Sequence, residues 1–283
     1  MTGGEGGGGG PAVRVQAALN GARPAGFHPA LPLDAEAMAL DAAACRAVGA
    51  SGVHLHPRDP ATGRETLDAR HLGHAVAAVR RAAPGLAVSV STGAWIEAGG
   101  DVARRTALAS WAALDPERRP DEASVNLSEA DAPAVLEALA AAGIGVEAGL
   151  ASFADAERFL ALRPLPGRVR RVMVEIGGEA GAALAAASAV LARLDAAGYA
   201  DAPRLLHGEG ESVWPLFDLA CGLGLEARLG LEDGPFLPGG RVATDNAELI
   251  ALGLQRAGAT GAALARAGRR RTVATVPPPA SSG

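Results

Sequence analysis

The feature that most constrains this chain is an alternation repeated eight times: a short β-branched or apolar run, then an Ala/Leu-rich stretch with helical character. The strand candidates are Val13–Leu19, Gly52–Pro57, Ala87–Ser91, Glu122–Leu127, Gly145–Gly149, Arg171–Glu175, Arg204–His207 and Glu226–Leu231. Helices are predicted between them. The first is capped by Asp34 and stops before Gly49; the second starts at Asp68 and ends before Pro84-Gly85. The others span Asp101–Ala113, Ala132–Ala142, Asp155–Leu162, Ala180–Ala197, Val213–Cys221 and Asp245–Ala267. Strict strand–helix alternation implies a parallel sheet, and eight is the number of strands that closes a barrel. An open doubly wound sheet usually carries a Gly-x-Gly-x-x-Gly turn after its first strand. Here that place reads Asn20-Gly21-Ala22, so the expected fold is a parallel eight-stranded (β/α)8 TIM barrel over residues 12–267. Residues 1–11, rich in Gly, and the tail 268–283 are expected to be disordered.

Composition agrees with one barrel. The chain has 283 residues, 49% of them apolar but only 3% aromatic, so its core must be built from Val, Leu, Ile and Ala. The formal net charge is −5 and the charges are dispersed, which gives no nucleic-acid surface. The one basic run, Arg269 to Arg271, is expected to complement the end of the last helix. Cys45 and Cys221 lie in apolar helical text and read as free buried thiols. Neither a signal peptide nor a membrane-spanning run is present in the sequence, so the expected location is cytoplasmic, away from any membrane.

In a barrel of this kind the active residues sit at the C-terminal ends of the strands. The second strand ends His54-Leu55-His56-Pro57-Arg58-Asp59, and residues two apart on a strand share a side, so both imidazoles project together. Two His and a carboxylate with an open position form a common catalytic zinc set. The eighth strand ends Arg228-Leu229-Gly230-Leu231-Glu232-Asp233. Closure puts this strand beside the first, so Glu232 is the expected third ligand. Zinc is the ion these ligand types favour, with other divalent metals open. Asp233 beside a metal and an arginine fits a general base, although Arg228 and Asp233 also read as a structural ion pair. At the third strand, Ser91, Thr92 and Gly93 offer hydroxyls and backbone donors to a substrate carboxylate. Asn126 ends the fourth strand, and Glu147 lies between Gly145 and Gly149 on the fifth. His207 reads equally as a site or a rim residue, His71 and His74 as surface residues, and His28 as a possible lid residue.

From Val13 to Ala267 the chain resembles the β-keto acid cleavage enzyme family. The matching pieces are Ala18-Leu19-Asn20-Gly21, Pro32, Gly49-Ala50, the His54–Asp59 segment, Ser91-Thr92-Gly93 and the Arg228–Asp233 segment. The resemblance implies a barrel, usually a homotetramer, with zinc on His54, His56 and Glu232. It implies a β-keto acid and acetyl-CoA as the two substrates, and acetoacetate as a product. Arg228, Asp233 and Ser91 match the catalytic group; Thr92, Gly93, Asn126 and Glu147 fall where substrate contacts are expected. Arg23 departs from the Glu that many members carry in the loop after the first strand. Amidohydrolase-type barrels place a His-x-His pair on the first strand and add histidines on the fifth and sixth, which this chain lacks. A metal-dependent aldolase or lyase acting without CoA needs the same Lewis acid and stays open, as does a barrel metal hydrolase. A non-catalytic binding protein would need no base beside the metal.

Overall fold

A computed structural model describes residues 13–162 and 164–274, with side chains described as far as Thr260. Its strands are β1 (Val15–Ala18), β2 (Gly52–Leu55), β3 (Ala87–Ser91), β4 (Glu122–Asn126), β5 (Gly145–Leu150), β6 (Val169–Gly177), β7 (Arg204–Glu209) and β8 (Glu226–Leu229). All pairs are parallel, and β8 hydrogen-bonds to β1 to close the barrel in chain order. The alternating helices are α1 (Ala35–Ala47), α2 (Ala69–Ala82), α3 (Gly100–Ser110), α4 (Ala132–Ala142), α5 (Phe153–Ala161), α6 (Ala180–Ala196), α7 (Val213–Leu223) and α8 (Asn246–Ala274). The expected caps form: Asp34 accepts from the Ala37 N–H, and Asp68 accepts from those of Arg70 and His71.

Several ends differ from expectation for local reasons. The expected third helix tightens into a 3-10 turn at Trp111–Ala113. β2 stops at Leu55 because the Asn20 side chain takes over the backbone of His56, accepting from its N–H at 2.9 Å and donating to its carbonyl at 3.0 Å. α8 continues past Ala267, with Arg269 to Arg271 inside it; their side chains, and the readings of residues 1–11 and 275–283, lie outside the described residues.

Strand alternation divides the molecule into two environments. The outward residues of the strands, including Val53, Leu55, Val88, Val90, Val146, Val172 and Leu229, join the helices in the main apolar core. The inward residues are largely polar and buried: Gln16, His54, Ser89, Ser91, Glu122, Ser124, Glu147, Arg171, His207 and Arg228. The hydrophobic core is therefore the shell between sheet and helices, while the lumen carries charge. Both cysteines are free and buried, and no helix among the described residues is long and apolar enough to cross a membrane.

Candidate metal centre and active site

At the C-terminal mouth of the barrel, a cavity of about 230 Å³ is lined by His54, His56, Ser91, Trp95, Asn126, Glu175, Arg228, Glu232 and Asp233, among others. Two glycines let Glu232 arrive there from β8. A Cβ on Gly230 would stand 1.9 Å from the Ala18 carbonyl oxygen, so only glycine permits the tip of β8 to lie against β1. A Cβ on Gly21, whose φ is +52°, would stand 2.4 Å from Cγ of Glu232.

The sequence-predicted ligands converge. Single ligand atoms of His54, His56 and Glu232 all lie within 4.8 Å of one another. The two Nε2 atoms face each other at 3.2 Å, and Oε1 of Glu232 is 3.4 Å from Nε2 of His56 and 3.9 Å from Nε2 of His54. Oε2 of Glu232 is buried without a hydrogen-bond partner. An orphaned carboxylate oxygen beside two converging imidazole nitrogens fits a cation better than a protein-only network.

Electrostatics point the same way. Burial pulls His54 down to about 4, assisted by Arg228 and His56 and only partly opposed by Glu232. Burial also acts against protonation of His56, but Glu232 and Glu65 outweigh it and raise that residue to about 9. Burial would raise Glu232, yet Arg228 and the two histidines hold it well below the usual carboxylate range. The trio is thus a place that holds positive charge, as a proton on His56 or as a metal ion.

Behind the trio, Arg228 binds two carboxylates. Its Nη2 donates to Glu232 at 2.6 Å and to Asp233 at 2.7 Å, and its Nε reaches Asp233 at 3.2 Å. Arg228 and Asp233 are both almost fully buried, and the carboxylates push the guanidinium further above its ordinary value despite the opposing effect of burial. The ion pair anticipated as a bland alternative is present, and it lines the cavity. Ser91 and Asn126 also line it, and Asn126 donates to Glu129 at 3.3 Å.

The remaining site candidates named from the sequence fall outside this cavity lining. Glu147 does not line the cavity: its inward position lies deeper along the barrel axis, where it is fully buried and bonded to Gln16, Ser89 and Arg171. Thr92 is turned away, its hydroxyl donating to the Ser124 carbonyl at 2.6 Å. Gly93 lies under Trp95, whose indole would be 2.3 Å from an added Cβ. His28 is a satisfied buried residue rather than a lid: Nε2 donates to the Ala243 carbonyl at 2.9 Å, and Nδ1 accepts from the Ala30 N–H at 3.1 Å. His71 and His74 lie on α2, where His74 pairs with Glu36 at the surface.

Four participants escaped the sequence reading or were left undecided there. His207 is buried between two carboxylates, with Nδ1 3.5 Å from Asp233 and Nε2 3.1 Å from Glu175. Burial and Arg228 oppose its protonation, but the carboxylates prevail and raise it to about 9, while His207 holds Glu175 down at about 2 against burial. Glu65 accepts from Nδ1 of His56 and, through its other oxygen, from Nε1 of Trp95 at 3.1 Å. Arg23 donates to the Glu232 carbonyl at 2.7 and 2.9 Å, pairs with Glu209 at 2.8 Å, and stacks on Phe27. Glu175 had a usable signal, since it shares the inward face of β6 with Arg171 and Met173.

The fold and site can be set beside known proteins. The sequence matches the family model described as beta-keto acid cleavage enzyme over residues 12–274. No curated protein matches the chain significantly. Among solved structures, ObcA in binary complex with oxaloacetate superposes with a TM-score of 0.58 at 20% identity, covering 79% of this chain and 63% of ObcA. ObcA in ternary complex with a C4-CoA adduct and oxalate gives 0.56 at 19% identity, with the same coverage. The chain thus spans under two thirds of the length of ObcA. The type I 3-dehydroquinate dehydratase of Clostridium difficile gives 0.60 at 9% identity, covering 92% of this chain and 95% of the other. At such identities the likeness shows the barrel architecture alone. Membership is carried by the family match, which runs nearly the length of the chain and takes in His54, His56 and Glu232: the chain belongs to the β-keto acid cleavage enzyme family.

Proposed function

We propose that this chain is a zinc-dependent acyltransferase that condenses a β-keto acid with acetyl-CoA and yields acetoacetate and a new acyl-CoA. The observation that carries the reading is the packing of a two-His, one-Glu trio against the buried Arg228–Asp233 pair in one cavity. Family membership supports the β-keto acid. The ObcA complexes with oxaloacetate and with a C4-CoA adduct support a keto acid and a CoA thioester. A divalent cation on His54, His56 and Glu232 supplies Lewis acidity that stabilises negative charge at a keto oxygen.

The chain's own groups carry the proton and the orientation. Asp233 takes the proton from the carbon between the carboxylate and the keto group. Arg228 fixes the Asp233 carboxylate through both of its oxygens, and the Ser91 hydroxyl steadies the charge that develops. Asn126 lines the wall of a cavity sized for a small acid, with the bulk of CoA outside it. The deprotonated carbon bonds to the acetyl carbon, and the CoA thiolate leaves. The thiolate then attacks the original keto carbon, whose bond to the central carbon breaks, and that carbon regains a proton. Atoms balance as β-keto acid plus acetyl-CoA giving acetoacetate plus acyl-CoA. A cytoplasmic homotetramer is part of the same proposal.

The test is incubation of zinc-loaded protein with acetyl-CoA and a panel of β-keto acids, with acetoacetate and acyl-CoA read by mass spectrometry. Acetoacetate that requires both substrates is expected. Cleavage of a keto acid that proceeds equally without CoA would replace the proposal by a metal-dependent lyase.

A further inference from the structure

The lumen of the barrel holds a line of buried polar side chains that ends on a metal ligand. Arg171 donates through Nε and Nη2 to Oε1 of Glu147, and Gln16 donates to the same oxygen at 2.9 Å. Oε2 of Glu147 accepts from the Ser89 hydroxyl. Oγ of Ser89 lies 2.9 Å from Nδ1 of His54. Ser89, Glu147 and His54 are each at most 2% exposed, so water does not compete for these bonds.

The directions in this line are forced. A carboxylate paired with arginine only accepts. The single Ser89 proton therefore goes to Glu147, and the Ser89 oxygen has only lone pairs to offer His54. Nδ1 of His54 must then carry the hydrogen, which leaves the lone pair of a neutral ring on Nε2, facing His56 and Glu232. We propose that Ser89 and Glu147 are positioning residues that fix His54 as its Nδ1–H tautomer and thereby set the metal affinity of the trio. The inference rests on the metal reading given above. It assigns Glu147 a task on the floor of the site in place of the substrate contact expected from the sequence.

The test needs no turnover. Nitrogen-15 NMR of histidine-labelled, metal-free protein at neutral pH reports where His54 carries its hydrogen. Nδ1–H is expected in the native sequence, and Nε2–H would overturn the proposal whatever any variant does. Zinc affinity is then measured by chelator competition for the native protein, Ser89→Ala, Glu147→Gln and the double variant. Losses of roughly 10- to 100-fold are expected for each single variant, the range typical when a ligand's hydrogen-bond partner is removed. The double variant should lose little more than one of them, because both break one chain. In Ser89→Ala the His54 signal should shift to a tautomer mixture. Native zinc affinity in Ser89→Ala, or fully additive losses, would refute the role while leaving the metal site standing. Absence of zinc binding by the native protein would refute both.

Discussion

Gly230→Ala is the sharpest structural test of how the site is assembled. The added Cβ would lie 1.9, 2.6 and 2.9 Å from the O, C and N atoms of Ala18, none of them the end of a flexible side chain. Ordinary contact begins at 3.4 Å, so the nearest pair must separate by about 1.5 Å. β1 has little freedom to yield, because Ala18 is in register with His54 and Leu19 N–H bonds to the His54 carbonyl at 2.9 Å. The displacement falls on residues 230–233, whose position is set by the Leu231 N–H on Asn246 and by turns onto the Gly230 carbonyl. Overpacking of this kind costs about 1–3 kcal/mol. Metal bonds tolerate only about 0.2 Å, so Glu232 should be lost as a ligand. Turnover should fall at least ~100-fold. Urea unfolding of metal-free protein, elemental analysis and the acetoacetate assay read these separately. Unfolding free energy within about 0.5 kcal/mol of native, together with a full complement of metal, would refute the reasoning.

Two further predictions concern the chemistry and the charge of the trio. Asp233→Asn should keep its metal and lose at least ~100-fold in kcat, the lower range for removal of a general base; full turnover with metal bound would remove Asp233 from that role. Because the fold raises His56 to about 9, metal must displace a proton there at neutral pH. Apparent affinity should therefore drop about tenfold per pH unit as pH falls below that value, and calorimetry in buffers of different ionisation enthalpy should find about one proton released near pH 7.5. Affinity independent of pH between 6 and 8 would contradict this.

Much of the site was legible because it obeys a local rule. His54 and His56, like Arg228, Gly230 and Glu232, are two residues apart at strand ends, and closure of β8 on β1 brings the two sets together. What period-two alternation leaves out is depth along the barrel axis. Glu147 lies on the inward face of β5, yet its level in the lumen depends on strand stagger, and it sits beside Arg171 beneath the histidines. Glu65 was invisible for another reason. It lies in the loop beyond β2, and only the antiparallel bridge between Arg58 and Glu65 folds that loop back onto His56. The His207 bridge joins β6, β7 and the turn after β8, a juxtaposition that exists only once the barrel has closed.

A metal ion on His54, His56 and Glu232 would be seen by anomalous diffraction at the zinc edge from crystals of the purified protein. One peak per chain is expected, about 2.0–2.2 Å from Nε2 of both histidines and an oxygen of Glu232. Zinc-loaded crystals with no anomalous peak at the trio, or with their only peak elsewhere on the chain, would contradict it.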